Sequence, residues 1–372
     1  MKGAAWHTPA EAAVARWIRP EIQALEAYHV PESTDLIKLD AMENPYAWPP
    51  DVVEEWLAVL RRVSLNRYPD PSAKRLRERL HRLFEVPEDK AVMLGNGSDE
   101  LIQILTMAVS RPERTVLAPD PAFSMYRMIT LFSGMHYVTV PLRDDFGLDR
   151  EAMLRALAEH EPAIVFIDYP NNPSGRLFDA GDLRAVIEAA PGLVVVDEAY
   201  HSFAGATFMP QLRDYPHLLV LRTLSKMGLA GLRLGILAGD RAWLDQVNKV
   251  RLPYNVNVLA QVSADFALGH QAILEAQAAA IRRDRAHLQE AMAALPGITV
   301  YPSRANFILF RAPPGQGPAL FEQIRAAGVL IKNLHRDDAL LRDCLRVTVG
   351  TPEENQAFLE ALRAGLATCA GG

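Results

Sequence analysis

Cysteine is nearly absent from this chain. Its 372 residues hold two, Cys344 and Cys369, too few for a disulfide framework and without the Cys-x-x-Cys spacing of a zinc or dithiol site. A reducing, cytoplasmic compartment is therefore expected. Basic charge is not in excess either: 39 Lys and Arg stand against 45 Asp and Glu, for a net charge of -6. With no long basic run to grip a polyphosphate backbone, nucleic acid is not expected as a ligand. No stretch of about 18 apolar residues runs uncharged, and Glu11 and Arg16 occupy the place of a secretory apolar segment, so neither a membrane span nor export is expected. The ten histidines lack metal-ligand spacing, so no metal is assigned. No Gly-x-Gly-x-x-Gly leads from a strand into a helix, which removes the nucleotide-binding oxidoreductases.

What is present is a globular composition, 49% hydrophobic and 23% charged, long enough for about two domains. From about residue 90 to 240, short apolar runs alternate with amphipathic stretches. Residues 115–118, 136–140, 163–168, 193–197, 218–222 and 234–238 read as strands, and 98–109, 150–160 and 180–190 as helices. That alternation implies an α/β unit with a mostly parallel central sheet, in which ligands bind beyond the carboxyl ends of the strands. After Asn255 an alanine-rich pattern runs through Ala264, Ile273 and Ala280 to Leu295 and suggests one long connecting helix. Runs at 305–310 and 345–349, with helices near 319–327 and 352–366, suggest a smaller α+β unit. The resulting division is an arm and part of the small unit over 1–45, a large ligand-binding unit over 46–260, and the connecting helix with the remaining small unit over 261–372.

Three successive strand ends finish in polar groups. Asp168-Tyr169-Pro170-Asn171-Asn172-Pro173-Ser174-Gly175 reads alone as an ordinary turn; functionally, Asn172 would aim its amide at a ligand oxygen. Val194-Val195-Val196-Asp197-Glu198-Ala199-Tyr200 delivers an acid to the end of a buried strand, where an unpaired carboxylate would cost several kcal/mol, roughly, so a partner must stand opposite it, and no fixed cation is obvious nearby. A helix cap is the plainer reading of Asp197. The third run ends in Thr223-Leu224-Ser225-Lys226, followed by Gly228, Gly231, Arg233 and Gly235. A lysine after a strand is ordinarily a solvated charge, but one desolvated beside another cation becomes a nucleophilic amine suited to Schiff-base chemistry.

Pyridoxal 5'-phosphate reconciles the three. Lys226 would join its aldehyde, Asp197 would pair with the protonated pyridine nitrogen, and Tyr200 and Asn172 would donate to the ring oxygen. Its phosphate would sit against Ser98 and Asp99, which open a helix after Gly95-Asn96-Gly97, with Ser225 and Arg233 contributing a hydroxyl and a guanidinium. Taken alone, Gly95 to Glu100 is weak evidence, since it lacks the ending of a nucleotide P-loop. Phe123, in Pro121-Ala122-Phe123-Ser124-Met125-Tyr126, would stack on the ring; core packing is the alternative.

With these residues in view, the chain resembles the fold-type I pyridoxal-phosphate enzymes, and within them the histidinol-phosphate aminotransferase branch. The carrying motifs are Lys38 to Tyr46, Asn66-Arg67-Tyr68-Pro69-Asp70, the Asn-Asn-Pro-Ser-Gly turn, Asp197 to Tyr200, Thr223 to Arg233 and Cys344 to Thr351, and the resemblance covers nearly the whole chain. It implies a mostly parallel sheet in a large domain and a smaller α+β domain built from both termini. It further implies transamination of L-histidinol phosphate with 2-oxoglutarate to imidazole-acetol phosphate and L-glutamate, in histidine biosynthesis. Lys226, Asp197 and Tyr200 take the catalytic positions in this likeness, Phe123 stands where the family often has Tyr, and Met42 where Asn is usual. Arg346, Lys332 and Asn44 fall at substrate positions, Lys332 where the family commonly has Arg; a lysine keeps the attraction but loses the bidentate fork. A tyrosine near Tyr28 would reach the substrate phosphate. Tyr68 would reach the cofactor phosphate of a neighbouring subunit, which implies a homodimer with shared active sites. Two other enzymes share this apparatus, a broad-range or aromatic aminotransferase and a threonine-phosphate decarboxylase. A non-catalytic binding module on the same fold is the reading from another class, and retention of Lys226 argues against it.

Overall fold

The structure, a computed structural model, describes residues 10–27, 31–338 and 340–371; Tyr28 lies outside them. A seven-stranded sheet is ordered Ala91–Gly95, Gly235–Gly239, Leu218–Thr223, Leu193–Asp197, Ile164–Asp168, Thr115–Asp120, His136–Pro141. Gly235–Gly239 runs antiparallel to both neighbours and every other pairing is parallel. Both faces are covered, as near-continuous apolar strands require. Val194 and Val196 pack into the core on one face, and Leu193 and Val195 into that on the other. Burying one such side chain contributes about 1.5–3 kcal/mol.

Parallel pairing in register brings the carboxyl ends level, with Asp168 opposite Asp197 and Asp197 opposite Leu221. The six strands expected in this region are all present. The edge strand Ala91–Gly95 is an addition; it pairs Gly95 with Gly235 and so brings the start of helix Ser98–Val109 to the same end of the sheet.

The second unit centres on a four-stranded antiparallel sheet ordered Lys332–Asn333, Cys344–Thr348, Phe307–Arg311, Thr299–Val300. Ile37–Lys38 pairs in parallel with Val329–Leu330, and the N-terminal segment thereby joins the C-terminal one, as the resemblance implies. Leu39, Phe307, Phe310, Val347 and Phe358 share its core.

The single long helix expected after Asn255 is two helices, Val258–Gly269 and Gln271–Ala293. His270, at φ -106° and ψ 34°, interrupts them, while its ring lies against Phe266 and its Nδ1 sits 3.2 Å from the Phe266 carbonyl. Each half serves a different core. Ala260, Ala264 and Ala267 pack with the large sheet, whereas Ile281, Leu288 and Met292 pack with the small one. One straight helix could not present both faces, and Gly269 costs the break little because a mid-helix glycine already loses about 1 kcal/mol relative to alanine.

Candidate active site

Beyond the carboxyl ends of the parallel strands lies a cavity of about 100 Å³, and most of the expected residues line it: Ser98, Asp99, Phe123, Asn172, Asp197, Tyr200, Ser225, Lys226 and Arg233. Met42, Asp168 and Thr223 complete much of the wall. Their convergence follows from the topology: all but Met42, which follows the Ile37–Lys38 strand of the small unit, end or follow a strand of the large sheet.

Lys226 sits in a single 3-10 turn, Ser225–Met227, closed by Gly228 at φ 110°. Its Nζ donates to the Ala41 carbonyl at 2.9 Å, so a segment from the small unit meets the lysine of the large one. Burial pushes the amine down to about 8; Arg346 and Arg233 add to the fall, while Glu43 and Asp99 oppose it. Desolvation beside cations is the condition that makes a lysine nucleophilic.

Asp197 is buried, and among the described residues no cation pairs with it. Its Oδ2 accepts from the Tyr126 hydroxyl at 2.8 Å and its Oδ1 from the Ala199 N–H at 3.0 Å. Burial raises its carboxyl to about 6 despite those two donors. Asp168, one strand over, is raised to about 7 by burial, with Asp197 adding repulsion; the Asn172 N–H and the Asn171 amide pull it back. Two carboxylates side by side in a dry wall favour a cationic ligand between strand ends and Lys226.

Sequence reasoning took Phe123 from this region and passed over Tyr126, which carries the closest side-chain bond to Asp197. Tyr126 is fully buried, stacked on Phe166 at 4.7 Å and edge-on to Phe123 at 5.6 Å. Its one signal was position, one helical turn after Phe123 on the same face.

Asn172 links the cavity to Arg346. Its Nδ2 donates to the Tyr200 oxygen at 3.3 Å, and its Oδ1 accepts from Arg346 Nη1 at 2.5 Å. Arg346 also donates to the Asp40 carbonyl at 3.0 Å and lies over the Phe307 ring. Burial raises the Tyr200 hydroxyl, with Arg346 opposing, so Tyr200 is a protonated donor at neutral pH. Lys332 pairs with Arg346 across antiparallel strands, so the two side chains share one face. Burial lowers the Lys332 amine, and Arg346 lowers it further. Both line a wider vestibule of about 710 Å³ that shares Met42, Phe123 and Asn172 with the inner cavity.

Two glycines keep an anion cradle bare. A Cβ on Gly235 would lie 2.5 Å from the Gly97 carbonyl and 2.6 Å from the Ser98 nitrogen; one on Gly97, at φ 90°, would lie 2.8 Å from Arg233 Nη2. The helix N-terminus at Ser98, the Arg233 guanidinium, itself 3.3 Å from Asp99, and the Ser225 hydroxyl, 3.0 Å from that of Thr223, make a donor set suited to phosphate. The residues therefore fit a phosphorylated aromatic aldehyde with a basic ring nitrogen.

Two expected residues stand elsewhere. Asn44 lies behind the lysine turn, donating to the Met227 carbonyl at 3.3 Å and to Gln277 at 2.9 Å, because the glycine at 228 leaves it room there. Tyr68 is on the surface, 80% exposed and stacked on Tyr254 at 4.4 Å. Among the described residues no helix is long and apolar enough to cross a membrane, and no cluster of three potential metal ligands occurs.

The chain is similar to known proteins over nearly its whole length. A histidinol-phosphate aminotransferase of Nitrosococcus oceani is 61% identical over 352 residues, covering 95% of this chain and 98% of that one; one of Cupriavidus pinatubonensis is 54% identical over 95% of this chain and 97% of its own. Among solved structures, histidinol-phosphate aminotransferase of Sinorhizobium meliloti in complex with pyridoxal-5'-phosphate has a TM-score of 0.85 at 24% identity, over 95% of this chain and 98% of that one. The aminotransferase class I and II family matches residues 34–362, and this chain is a member of it.

Proposed function

We propose that this enzyme transfers the amino group of L-histidinol phosphate to 2-oxoglutarate, giving imidazole-acetol phosphate and L-glutamate, with pyridoxal 5'-phosphate held in the inner cavity. The observation that carries this reading is one cavity lined by both an amine lowered to about 8 and a buried carboxylate without a cation. Full-length relatives more than half identical bear that name.

Bound there, pyridoxal 5'-phosphate supplies an aldehyde that condenses with amines and a pyridinium that accepts an electron pair. Asp197 holds the proton on the ring nitrogen, and the Tyr126 hydroxyl and Ala199 N–H keep its carboxylate aimed and charged. Tyr200 and Asn172 donate to the ring oxygen, while Ser98, Ser225 and Arg233 hold the phosphate. Lys226 would hold the aldehyde at rest and, once its amine is free, would carry a proton between the substrate α-carbon and the carbon that bore the aldehyde. Nucleophile and general base are thus one side chain. Arg346, with Lys332 beside it, takes the phosphate of the amino donor and then a carboxylate of the oxo acid. Asn44 supports the main chain behind Lys226 rather than reaching the substrate.

The enzyme works as a cytoplasmic homodimer in this reading. Tyr68 stands clear of its own chain's cavity and extends toward the cofactor phosphate of a second copy.

Rapid mixing of the loaded enzyme with single donors tests the substrate. Histidinol phosphate should convert the cofactor fastest; a preference for phenylalanine would indicate a broad aminotransferase, and loss of CO2 from threonine phosphate would indicate a decarboxylase.

A further inference from the structure

The vestibule outside the inner cavity carries charge that the mechanism above does not use. Besides Lys332 and Arg346, its wall contains Arg127, Arg336 and a single carboxylate, Asp120. Four cationic side chains against one acid is a local inversion in a chain of net charge -6. Arg127 projects from helix Ser124–Phe132, one turn beyond Phe123. Among the described residues it has no hydrogen-bond or ion-pair partner. Arg336 belongs to the opposite wall, four residues after Lys332. Asp120, at the end of a large-sheet strand, holds it across the gap, with contacts of 3.1 and 3.4 Å, and Asp338 holds its Nε at 2.6 Å.

The cations are thus graded by depth. Arg346 is buried and fixed by Asn172 and Asp40, Lys332 is half-buried, and Arg127 and Arg336 are more exposed. A concave wall of one sign concentrates field lines and raises the encounter rate of oppositely charged ligands, an effect that salt screens.

We propose that Arg127 and Arg336 form an outer anion subsite, which receives the phosphate monoester or dicarboxylate of an incoming substrate before Arg346 and Lys332 take it. Asp120 and Asp338 are its built-in competitors, occupying Arg336 until the anion arrives. This proposal rests on the function assigned above and names how that site draws its substrates.

The test is rapid mixing, over a range of salt, of the aldehyde-loaded enzyme with histidinol phosphate or uncharged-ended L-histidinol, and of the enzyme loaded with pyridoxamine 5'-phosphate with 2-oxoglutarate. Arg127→Gln and Arg336→Gln should each lower the apparent second-order rate constant for both anionic substrates about three- to tenfold at low salt. They should converge on the unsubstituted enzyme at high salt and leave the reaction with L-histidinol alone. Asp120→Asn should move the same constant upward. Variants whose rates and salt slopes match the unsubstituted enzyme overturn the subsite, and so does an equal loss with L-histidinol, which marks a structural effect. If the unsubstituted enzyme does not react with histidinol phosphate, the substrate assignment fails, while the 2-oxoglutarate series still decides the subsite.

Discussion

Three side chains in the cavity have ionisation displaced toward neutrality, and each displacement has a measurable sign. Asp168 and Asp197 titrate near 7 and 6 in the folded protein rather than near 3.8, so the folded state binds their protons more tightly than the unfolded chain does. Their favourable contribution is complete below about pH 4 and is lost as pH rises through 6 and 7. Lys226 has the opposite displacement, about 8 against 10.5, so stability recovers between those values. His201, half-buried and lowered by desolvation to about 3, favours the folded state as pH rises from about 3 to 6.5 and masks the carboxylates in a plain melting curve. The informative quantity is therefore a difference: in cofactor-free protein, Asp197→Asn should gain melting temperature relative to the unsubstituted chain as pH rises from about 4 to 6, and the gain should level off above that. A constant difference would remove the buried-carboxylate argument. In loaded enzyme the same change should cut turnover severely, and Lys226→Ala should abolish the visible absorbance of the lysine-cofactor linkage. Both residues were legible in the sequence because each comes at or just after the end of a strand-like apolar run, Leu193–Val196 for Asp197 and Leu218–Leu221 for Lys226, where a charge calls for an explanation. Tyr126 was not, because a tyrosine among Met125, Ile129 and Leu131 has the pattern of ordinary helix core, and only the fold brings its hydroxyl to Asp197.

At the scale of elements, the phosphate cradle depends on how closely two pieces of backbone approach. Gly235 begins the antiparallel strand and touches Gly97 and Ser98 directly. Since the clash of an added methyl is with main chain, it can be relieved only by moving the start of helix Ser98–Val109. Gly235→Ala should therefore weaken pyridoxal 5'-phosphate binding about tenfold or more, one to two kcal/mol, read by cofactor fluorescence titration. Gly231→Ala, where a Cβ meets nothing within 4 Å, is the control; equal affinities in the two variants would mean that the close approach does not shape the cradle. The glycines were visible in the sequence, but their function was not, because it arises between residues 95–98 and 235, which meet only after a long excursion of chain. The broken helix at His270 escaped for a similar reason. Alanine-rich periodicity continues across residues 255–295, and the break is imposed by two cores lying in different directions. Strand and helix type follows from local pattern; direction follows from what the element must cover.

For the molecule as a whole, the surface around Tyr68 is too apolar for a face that meets water alone. Leu65 and Leu252 are each 72% exposed and Tyr68 is 80% exposed. Leu65, Tyr68, Tyr254 and Leu259 surround one shallow recess. Contiguous exposed apolar area of this kind marks an interaction surface, and the occupant that suits it is a second copy, because a homodimer would also bring Tyr68 to the neighbouring cofactor. The patch and the proposed reach of Tyr68 to a neighbouring cofactor then have one explanation. Sedimentation should give a mass near twice 41.2 kDa. Replacing Leu65 and Leu252 together by Asp should yield monomers that lose cofactor, since each cavity would lack the neighbour's Tyr68. Tyr68→Phe separates the two roles. It retains the apolar ring and its stacking on Tyr254, so the dimer should persist, while removal of the hydroxyl should loosen the cofactor by about ten- to a hundredfold, the net worth of one hydrogen bond to a charged group. A monomeric Tyr68→Phe variant would mean that the ring serves assembly alone, and a dimer with unchanged cofactor affinity would mean that the hydroxyl never reaches the neighbouring phosphate.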